Sequence, residues 1–440
     1  MSETNGAAAM PRSDSAEKTK QPIPKADKYI WAIYILILVV SVVELFSASS
    51  REVQASNIYA PLLRHGRLLL VGVLLTVGIS RMKYKWLIPL TPLFGIFALT
   101  VGVYVFFNGD IINGARRSTT ILGIALQPSE LLKLAVVLFI ALTMARNQLK
   151  GGGVRTSAII QSAVAVLVCG ALLLPQGLTN TLLLMGVSFA MMLIGGVPWG
   201  KFFIVVGIYI LSGGSYYAIK HITEKDDAAT VAMEQAAAIE EGRGTADRGH
   251  IQSGRIANWL GDSIPKYQKA ITSSNRQEMY SYMAQAHGGV TGVLPGNSRE
   301  TSRLPLAFSD YIYAIVVEDW GLMGGIGLLV LYLLLIARAG AIAARCSRAF
   351  PALLVMGMAV MIVLQALFHM AIVTGVFPVS GQPLPLISKG GSSIIVTSIA
   401  FGIMLSVSRW AVQTDKARDV KAEIAELPDD LGSANPGKLS

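Results

Sequence analysis

Ten stretches of this chain are long enough and apolar enough to cross a membrane, and no other feature limits the possible folds as strongly. A membrane-spanning helix needs about 20 mostly apolar residues. The charged fraction is only 15%, against about 25% in soluble domains, so the chain lacks the polar surface of a soluble globule. The sequence therefore predicts an all-α, polytopic membrane protein with about ten transmembrane helices. The segments cover roughly 29–48, 66–80, 86–107, 130–146, 157–174, 180–197, 201–220, 309–337, 351–377 and 392–409.

Basic residues in the short loops set the predicted orientation. If the N-terminus is inside, every predicted inner loop carries Lys or Arg and none carries Asp or Glu. This asymmetry predicts a multi-pass protein of the cell inner (cytoplasmic) membrane with both termini cytoplasmic. The same residues account for much of the net charge of +10, so no nucleic-acid partner is expected.

The polar stretches define the predicted domain organisation. Residues 29–412 form the membrane domain, while residues 1–28 and 413–440 are expected to be disordered cytoplasmic tails. The first apolar segment lacks a cleavage site and is interpreted as a retained helix. Residues 221–308 form a long outer loop, in which 224–249 is expected to be a short surface helix or mobile. Long loops in compact proteins are usually functional or disordered.

A first cluster of polar residues lies between the third and fourth predicted helices. Polar groups at the edge of a bilayer are costly, which makes them functional candidates. Arg116 and Arg117 stand outside, against the general charge asymmetry. Glu130 and Lys133 are three residues apart and share a helix face. One interpretation is a helix begun by Pro128 with an ion pair; the other is a basic lining for an anionic ligand such as a diphosphate.

A second cluster lies where the long loop re-enters the membrane. Asp310 stands at this boundary, where a carboxylate reaches both water and a lipid-borne substrate and suits the role of a base. The alternative is that Ser309 or Asp310 caps the eighth helix. Glu318 and Asp319 lie two turns deeper, where a purely structural role would need buried partners.

A third cluster spans Gly381 to Ser393. Its glycines free the backbone, and Ser392 or Ser393 is expected to cap the tenth helix. The free N–H groups at that helix start, with Lys389 beside them, form a candidate anion site. The alternative is a turn followed by a capped helix. On the ninth helix, the polar residues Gln365 and His369 lie one turn apart and are expected to support the site. The histidine is interpreted as a structural hydrogen-bonding group rather than a metal ligand.

At these residues the chain resembles the SEDS proteins, the FtsW/RodA group. The resemblance covers about residues 29–412, and its most specific stretch is the Leu-Pro-Leu-Ile-Ser-x-Gly-Gly-Ser-Ser sequence of 384–393. It implies a peptidoglycan glycosyltransferase that polymerises lipid II outside the cytoplasmic membrane. It also implies a class B penicillin-binding protein as partner and favours the division branch, with other divisome proteins.

The resemblance assigns roles to individual residues. Asp310 matches the family's catalytic aspartate, and Glu130 with Lys133 matches its charged pair on the fourth helix. Arg116 and Arg117 match the family's arginines. The chain departs from the family in three places: Lys389 stands where Tyr is frequent, His369 where Asn is common, and residues 175–181 lack the usual acid.

The expected chemistry is displacement at a sugar anomeric carbon. Asp310 would be the base for the attacking hydroxyl, or would hold a divalent metal, Mg or Mn, that activates it. Positive charge from Arg116, Arg117, Lys133 and Lys389 would stabilise the leaving diphosphate. Three alternatives stay open: a lipid II flippase, which should show broken helices and a site near the midplane; a scaffold that only activates a penicillin-binding protein; and a RodA-like elongation polymerase.

Overall fold

The computed structural model describes residues 24–48, 60–112, 115–121, 124–149, 152–226, 268, 270–272, 275–304 and 307–425. Within this part, eleven α-helices make up most of the chain. They are α1 (Lys28–Ala48), α2 (Ala60–Arg81), α3 (Leu87–Asn108), α4 (Pro128–Arg146), α5 (Thr156–Leu173), α6 (Leu178–Ile194), α7 (Trp199–Asp226), α8 (Arg276–Gly288), α9 (Ile312–Ala343), α10 (Ala349–Val373) and α11 (Gly391–Ala425).

Each of the ten predicted segments coincides with one of these helices, and α8 is the additional one. Of the described helices, seven are long and apolar enough to cross a membrane by length and composition. These seven are α1, α3 with the 3₁₀ turn before it, α4, α5, α9, α10 and α11. Helix α6 and the apolar part of α7, Trp199–Ser215, are shorter apolar helices. The chain is a multi-pass, all-α membrane protein.

Helices α4 and α10 form the centre of the bundle. Most residues of both helices are buried, and α4 packs against α3, α5, α6 and α10. Helices α3 and α7 lie at the periphery and present large apolar side chains outward, as shown by Phe203 at 61% and Leu211 at 71% exposure. Apolar side chains on an outer face match a lipid solvent, so burial here means enclosure within the bundle.

The predicted C-terminal tail requires a correction. Residues 413–425 continue α11 as a helix, whereas residues 413–440 were expected to be disordered. The stretch is rich in Ala, Lys, Arg and Glu, which are strong helix formers, so the helix extends beyond its apolar part. Of the predicted N-terminal tail, only residues 24–28 are described: 24–27 have no regular structure, and Lys28 begins α1.

The predicted outer loop also begins later and contains more structure than expected. Helix α7 continues to Asp226, and α8 occupies residues 276–288 of the stretch interpreted as a loop. The expectation of a surface helix or mobile segment at 224–249 lies outside the described residues beyond 226. Helix α8 packs against α9, and Ser281 Oγ donates a hydrogen bond to the Val373 carbonyl at the end of α10.

A small antiparallel sheet connects α3 to α4, where the sequence analysis expected no strand. Its strands are β1 (Asp110–Ile112), β2 (Ala115–Ile121) and β3 (Ile124–Leu126), in the order β1-β2-β3. Strand β2 packs against α3, and β3 packs against α11. The sheet therefore lies at the end of the bundle where α4 and α11 begin.

Helix α9 is broken at Gly321, whose φ of 69° is not helical. Backbone groups of the loop after α8 occupy the break: Val293 and Leu294 donate to the carbonyls of Glu318 and Asp319 at 3.0 and 2.9 Å. A buried carboxylate, Glu44 of α1, accepts a hydrogen bond of 2.7 Å from Trp320 Nε1 beside the break. The break therefore joins α9 to both α1 and the outer loop.

Candidate active site at one end of the bundle

The loop between α10 and α11, residues 381–390, lies at the centre of the candidate site and is called the site loop here. Helix α10 holds its first residues through two side chains. His369 Nδ1 lies 2.6 Å from the Gln382 carbonyl oxygen, and because a carbonyl only accepts, Nδ1 carries the proton. Gln365 Nε2 donates to the Pro383 carbonyl at 3.2 Å. The expected hydrogen-bonding role of His369 matches this geometry.

Glu130, Lys133 and Gln365 form a buried polar group beneath the site loop. Lys133 Nζ donates to Glu130 Oε1 at 2.7 Å and to Gln365 Oε1 at 2.6 Å. The three residues are exposed by 3% or less. The i,i+3 ion pair, one of the two interpretations of this cluster, is therefore present. Two of the three ammonium protons of Lys133 are engaged, and its contact with a diphosphate stays a prediction.

Asp310 lies directly against the site loop. A Cβ placed on Gly381 would be 2.9 Å from Asp310 Oδ2, so the carboxylate occupies the space that a side chain would fill. The N-cap of α9 is Tyr311, which makes the interpretation of Ser309 or Asp310 as the cap wrong. The turn at 307–310 precedes the helix, and Asp310 is half-buried there. Its position leaves the carboxylate at the boundary between loop and helix.

Two hydrogen bonds fasten the turn of Asp310 to the end of the site loop. The Lys389 N–H donates to the Phe308 carbonyl at 2.8 Å, and Ser388 Oγ donates to the Ser309 carbonyl at 2.7 Å. The Lys389 ammonium lies 4.8 Å from the centre of the Phe308 ring, a cation–π distance. A basic side chain and an acidic one are thus anchored in the same small region.

The start of α11 differs from the prediction. The helix begins at Gly391, and the Gly390 carbonyl accepts the N–H of Ile394 at 3.0 Å. Ser392 and Ser393 therefore occupy the first turn instead of capping it, because the glycine backbone already adopts the cap position. Within the described part of the chain, the buried Ser393 Oγ has no hydrogen-bond partner. The first-turn N–H groups lack intrahelical acceptors, as an anion site requires.

Arg116 and Arg117 lie on strand β2, and Arg116 pairs with Ile111 of β1. Their side chains lie outside the described part of the structure, so their contact with a ligand stays a prediction. The backbone places them in the sheet that leads directly into α4, the helix of Glu130 and Lys133.

Glu318 holds the outer loop rather than the reacting centre. Its carboxylate accepts the backbone N–H groups of Arg299 at 2.9 Å and Glu300 at 3.3 Å, and the hydroxyl of Ser298. The buried partners that a structural role demands are therefore present. Glu318 fastens the loop that fills the break in α9, and its support of the site stays a prediction.

The site contains residues that the sequence analysis did not identify. Ser41, Tyr332 and Asn180 come from α1, α9 and α6, and each contacts the site loop. His65 of α2 contacts Ser41. Each is a polar side chain in an apolar helix, and that contrast is the only sequence signal they carry.

The candidate centre thus joins the starts of α4, α9 and α11 and the end of α10 through one loop. Gly381 touches Asp310 and Pro383 touches Gln365, and two residues along a chain span at most about 7 Å between Cα atoms. Asp310 and the Glu130–Lys133 pair are therefore connected through the same loop at one end of the bundle.

Comparison with known proteins decides the family. The family model described as Cell cycle protein (FtsW/RodA/SpoVE) matches residues 27–413. The chain belongs to the FtsW/RodA/SpoVE family. The match covers the whole membrane domain, including all three clusters of site residues.

Curated relatives and solved structures agree with this family. Proteins called "Probable peptidoglycan glycosyltransferase FtsW" match from Halomonas elongata (27% identity; 81% of this chain, 82% of the relative) and Bacillus subtilis (25%; 88% and 92%). Among solved structures, RodA of Thermus thermophilus has a TM-score of 0.59 at 23% identity, covering 88% of this chain and 97% of RodA. A chain described under "Structural coordination of polymerization and crosslinking by a peptidoglycan synthase complex" has a TM-score of 0.64 at 24% identity, covering 88% of this chain and 99% of that chain. These structures share the fold.

Proposed function

We propose that this protein is a peptidoglycan glycosyltransferase that polymerises lipid II at the outer face of the cytoplasmic membrane during septal wall synthesis. The proposal rests on the contact of Asp310 with the site loop. The same loop contains Lys389 and accepts a hydrogen bond from Gln365 of the Glu130–Lys133–Gln365 group. A carboxylate and cationic side chains in one centre meet the needs of a displacement with a diphosphate leaving group.

In this mechanism a sugar hydroxyl attacks the anomeric carbon of a second lipid-linked sugar. Its proton passes to the Asp310 carboxylate, a new glycosidic C–O bond forms, and the C–O bond to the lipid diphosphate breaks. The Lys389 ammonium and the first-turn N–H groups of α11 stabilise the charge on the leaving diphosphate. The proposal extends to Arg116, Arg117 and Lys133 as further cationic groups for the same diphosphate.

A divalent metal, Mg or Mn, at Asp310 is part of the proposal. Within the described residues, no group of three His, Cys, Asp or Glu side chains is arranged to hold a metal ion. Asp310 is the residue proposed to hold the metal, and water with substrate phosphate oxygens would be suitable further ligands for Mg²⁺. Such a metal would polarise the attacking hydroxyl.

The proposed orientation places the candidate site outside. Basic residues of the short loops lie at the opposite end of the bundle, where Arg338 of α9 contacts Asp27 before α1. The positive-inside rule makes that end cytoplasmic, together with both termini.

A class B penicillin-binding protein and other divisome proteins are the proposed partners, because a solved relative is described as a peptidoglycan synthase complex.

The experiment that tests the proposal uses the purified protein in detergent with lipid II, with and without a cognate class B penicillin-binding protein. We expect glycan strands that a muramidase digests. Detergent removes the two leaflets, so a flippase would leave lipid II unchanged, and a scaffold would do so as well. Unconsumed lipid II under both conditions would contradict the proposal. A preference for a division-specific over an elongation-specific transpeptidase partner would test the septal assignment.

A further inference from the structure

The site loop is held by side chains along its whole buried part. Besides the two bonds from α10, Tyr332 of α9 donates to the Pro385 carbonyl at 2.7 Å, and Ser41 of α1 donates to the Leu386 carbonyl at 2.7 Å. Leu386 has a φ of 66°, one of two positive values among the described non-glycine residues. A leucine in this region is strained and persists only where its surroundings fix it.

The bond that holds Leu386 depends on a second residue, His65 of α2. Ser41 Oγ lies 3.0 Å from His65 Nε2, and Ser41 and His65 are 0% and 1% exposed. The hydroxyl of Ser41 has a single proton, which it donates to the carbonyl of Leu386. His65 Nε2 must therefore carry a proton and donate it to Ser41. The result is a directed chain from α2 through α1 to the site loop.

This chain ends close to Lys389. Leu386 is the middle of a tight turn, in which the Ser388 N–H donates to the Leu384 carbonyl at 3.0 Å and the Leu384 N–H donates to Ser388 Oγ at 2.7 Å. Lys389 follows that turn directly, and its charge lies within electrostatic reach of His65. Because His65 is buried, a second proton on its ring is disfavoured, which keeps the donor arrangement neutral.

We propose that Ser41 and His65 are positioning residues that hold the 384–388 turn and thereby set Lys389 for the diphosphate of the substrate. The inference rests on the proposed function, because it assigns Lys389 to that diphosphate. Without the Ser41 bond, Leu386 is expected to relax toward negative φ and to shift the turn that leads into Lys389. Ser41 and His65 contact each other and the Leu386 carbonyl, and we expect their effect on the diphosphate to pass through the turn to Lys389.

A double-mutant cycle separates this role from simple structural support. Purified Ser41→Ala, Lys389→Ala and the double variant would be compared for their Kd for undecaprenyl diphosphate in nanodiscs. We expect each single variant to weaken binding by about tenfold and the double variant to be no weaker than Lys389→Ala alone, because both changes remove the same contact. Multiplied losses in the double variant would overturn the positioning role while leaving Lys389 as a ligand-binding residue.

Two further variants of similar size test the donor assigned to His65. His65→Gln keeps an N–H donor at the same number of bonds from the backbone, whereas His65→Leu has none. We expect His65→Gln to keep the Kd within about twofold and His65→Leu to weaken it about tenfold, equal to Ser41→Ala. Equal affinity for both variants would overturn the hydrogen-bond chain.

A control and a separate outcome for the proposed function complete the test. Thr76 of α2 also donates a buried hydrogen bond, to the Ser398 carbonyl at 2.9 Å, but does not touch the site loop. Thr76→Val is expected to lower thermal stability without changing the Kd, and a loss of affinity as large as that of Ser41→Ala would overturn the specific role of Ser41.

If Lys389→Ala binds undecaprenyl diphosphate like the wild type, the assignment of Lys389 fails, and the positioning role fails with it. Glycan synthesis by that variant would still report on the proposed function.

Discussion

The approach of Asp310 to the site loop depends on one missing side chain. A Cβ on Gly381 would lie 2.9 Å from Oδ2 and 3.3 Å from Cγ of Asp310, closer than most real Cβ contacts. Any other residue at 381 therefore pushes the carboxylate away from the loop. A displacement of about 1 Å at a reacting group reduces rates by up to about 10²-fold.

Gly381→Ala is accordingly expected to lower the rate of lipid II polymerisation by about 10²-fold while the protein still folds. The measurement is the initial rate of glycan formation together with the midpoint of thermal unfolding. Gly207→Ala on α7 is the matched control, because a Cβ at that position meets nothing within 4 Å. A Gly381→Ala enzyme as fast as the Gly207→Ala enzyme would show that the contact with Asp310 is irrelevant.

At the opposite end of the bundle, Asp27 and Arg338 form a bidentate ion pair, with Nε of Arg338 3.1 and 3.0 Å from the two carboxylate oxygens. Burial raises the pKa of Asp27, but the hydrogen bonds from Arg338 and from the Ile30 and Tyr29 N–H groups outweigh it and lower the pKa below 3.8. The pair therefore stabilises the fold above pH 4 and loses its effect as the pH falls through the lowered pKa.

Asp27→Asn is expected to reduce stability by about 1 kcal/mol at pH 7 and by progressively less below pH 4. Thermal unfolding of both proteins between pH 3 and pH 7 measures this difference. A difference that stays constant over the whole range would show that the charge of Asp27 does not contribute.

Among single residues, the sequence revealed those whose charge conflicts with a membrane. Asp310, Glu130, Lys133 and Lys389 stand out for that reason, and the structure brings all four to one end of the bundle. Ser41 and His65 carried no comparable signal, because serine is common in membrane helices and His65 stands between Arg64 and Arg67 at the polar start of α2. Their role depends on distances between α1, α2 and the site loop, which only the fold supplies.

Among the elements, helix α9 shows how a break can fasten a loop. Its freed backbone groups pair with residues 289–294, so the loop replaces the missing helical hydrogen bonds. A transporter would also contain a broken helix, but here the break is filled by the protein's own backbone. A Cβ on Gly321 would lie 2.2 Å from the Val290 carbonyl oxygen, and the φ of 69° favours glycine.

Gly321→Ala is therefore expected to destabilise the protein by on the order of 3 kcal/mol, from backbone strain and the clash together. Gly327→Ala, six residues further along the same helix, meets nothing within 4 Å and is expected to be neutral or slightly stabilising. Thermal unfolding in one detergent compares the two variants, and equal midpoints would refute the account of the break.

The long helices were predictable, because an apolar stretch of about 20 residues has few alternatives in lipid. The sheet was not, since two of its strands have three residues each and carry no readable alternation. Helix α8 was missed because its 13 residues are largely polar, and its face becomes buried only by packing against α9. The break in α9 leaves the apolar composition unchanged, so it had no signature in hydropathy.

At the scale of the whole molecule, one end of the bundle carries the candidate site and the other end carries the basic loops. At the end of the bundle opposite the site loop, Arg81 and Arg146 are the last residues of α2 and α4, and Arg345 follows α9. Anionic lipid and the translocation machinery keep such residues on the cytoplasmic side. The proposed orientation presents the candidate site to the proposed substrate outside the cell membrane.

Reporter fusions test this orientation. Alkaline phosphatase, which folds only outside the cytoplasm, is expected to be active when inserted after residue 250 in the 221–308 loop and inactive at the C-terminus. Green fluorescent protein is expected to behave in the opposite way at the same two positions. The reverse pattern would place the site in the cytoplasm and contradict the proposed reaction.

The most direct test of the central claim is the rate at which purified Asp310→Asn protein polymerises lipid II, relative to the wild type. A general base contributes about 10²–10⁴-fold to a rate, so a loss of that size is expected, with unchanged thermal stability. Asn keeps the shape of Asp and removes only its charge and basicity. Wild-type rates from a folded Asp310→Asn protein would contradict an active centre built around this carboxylate.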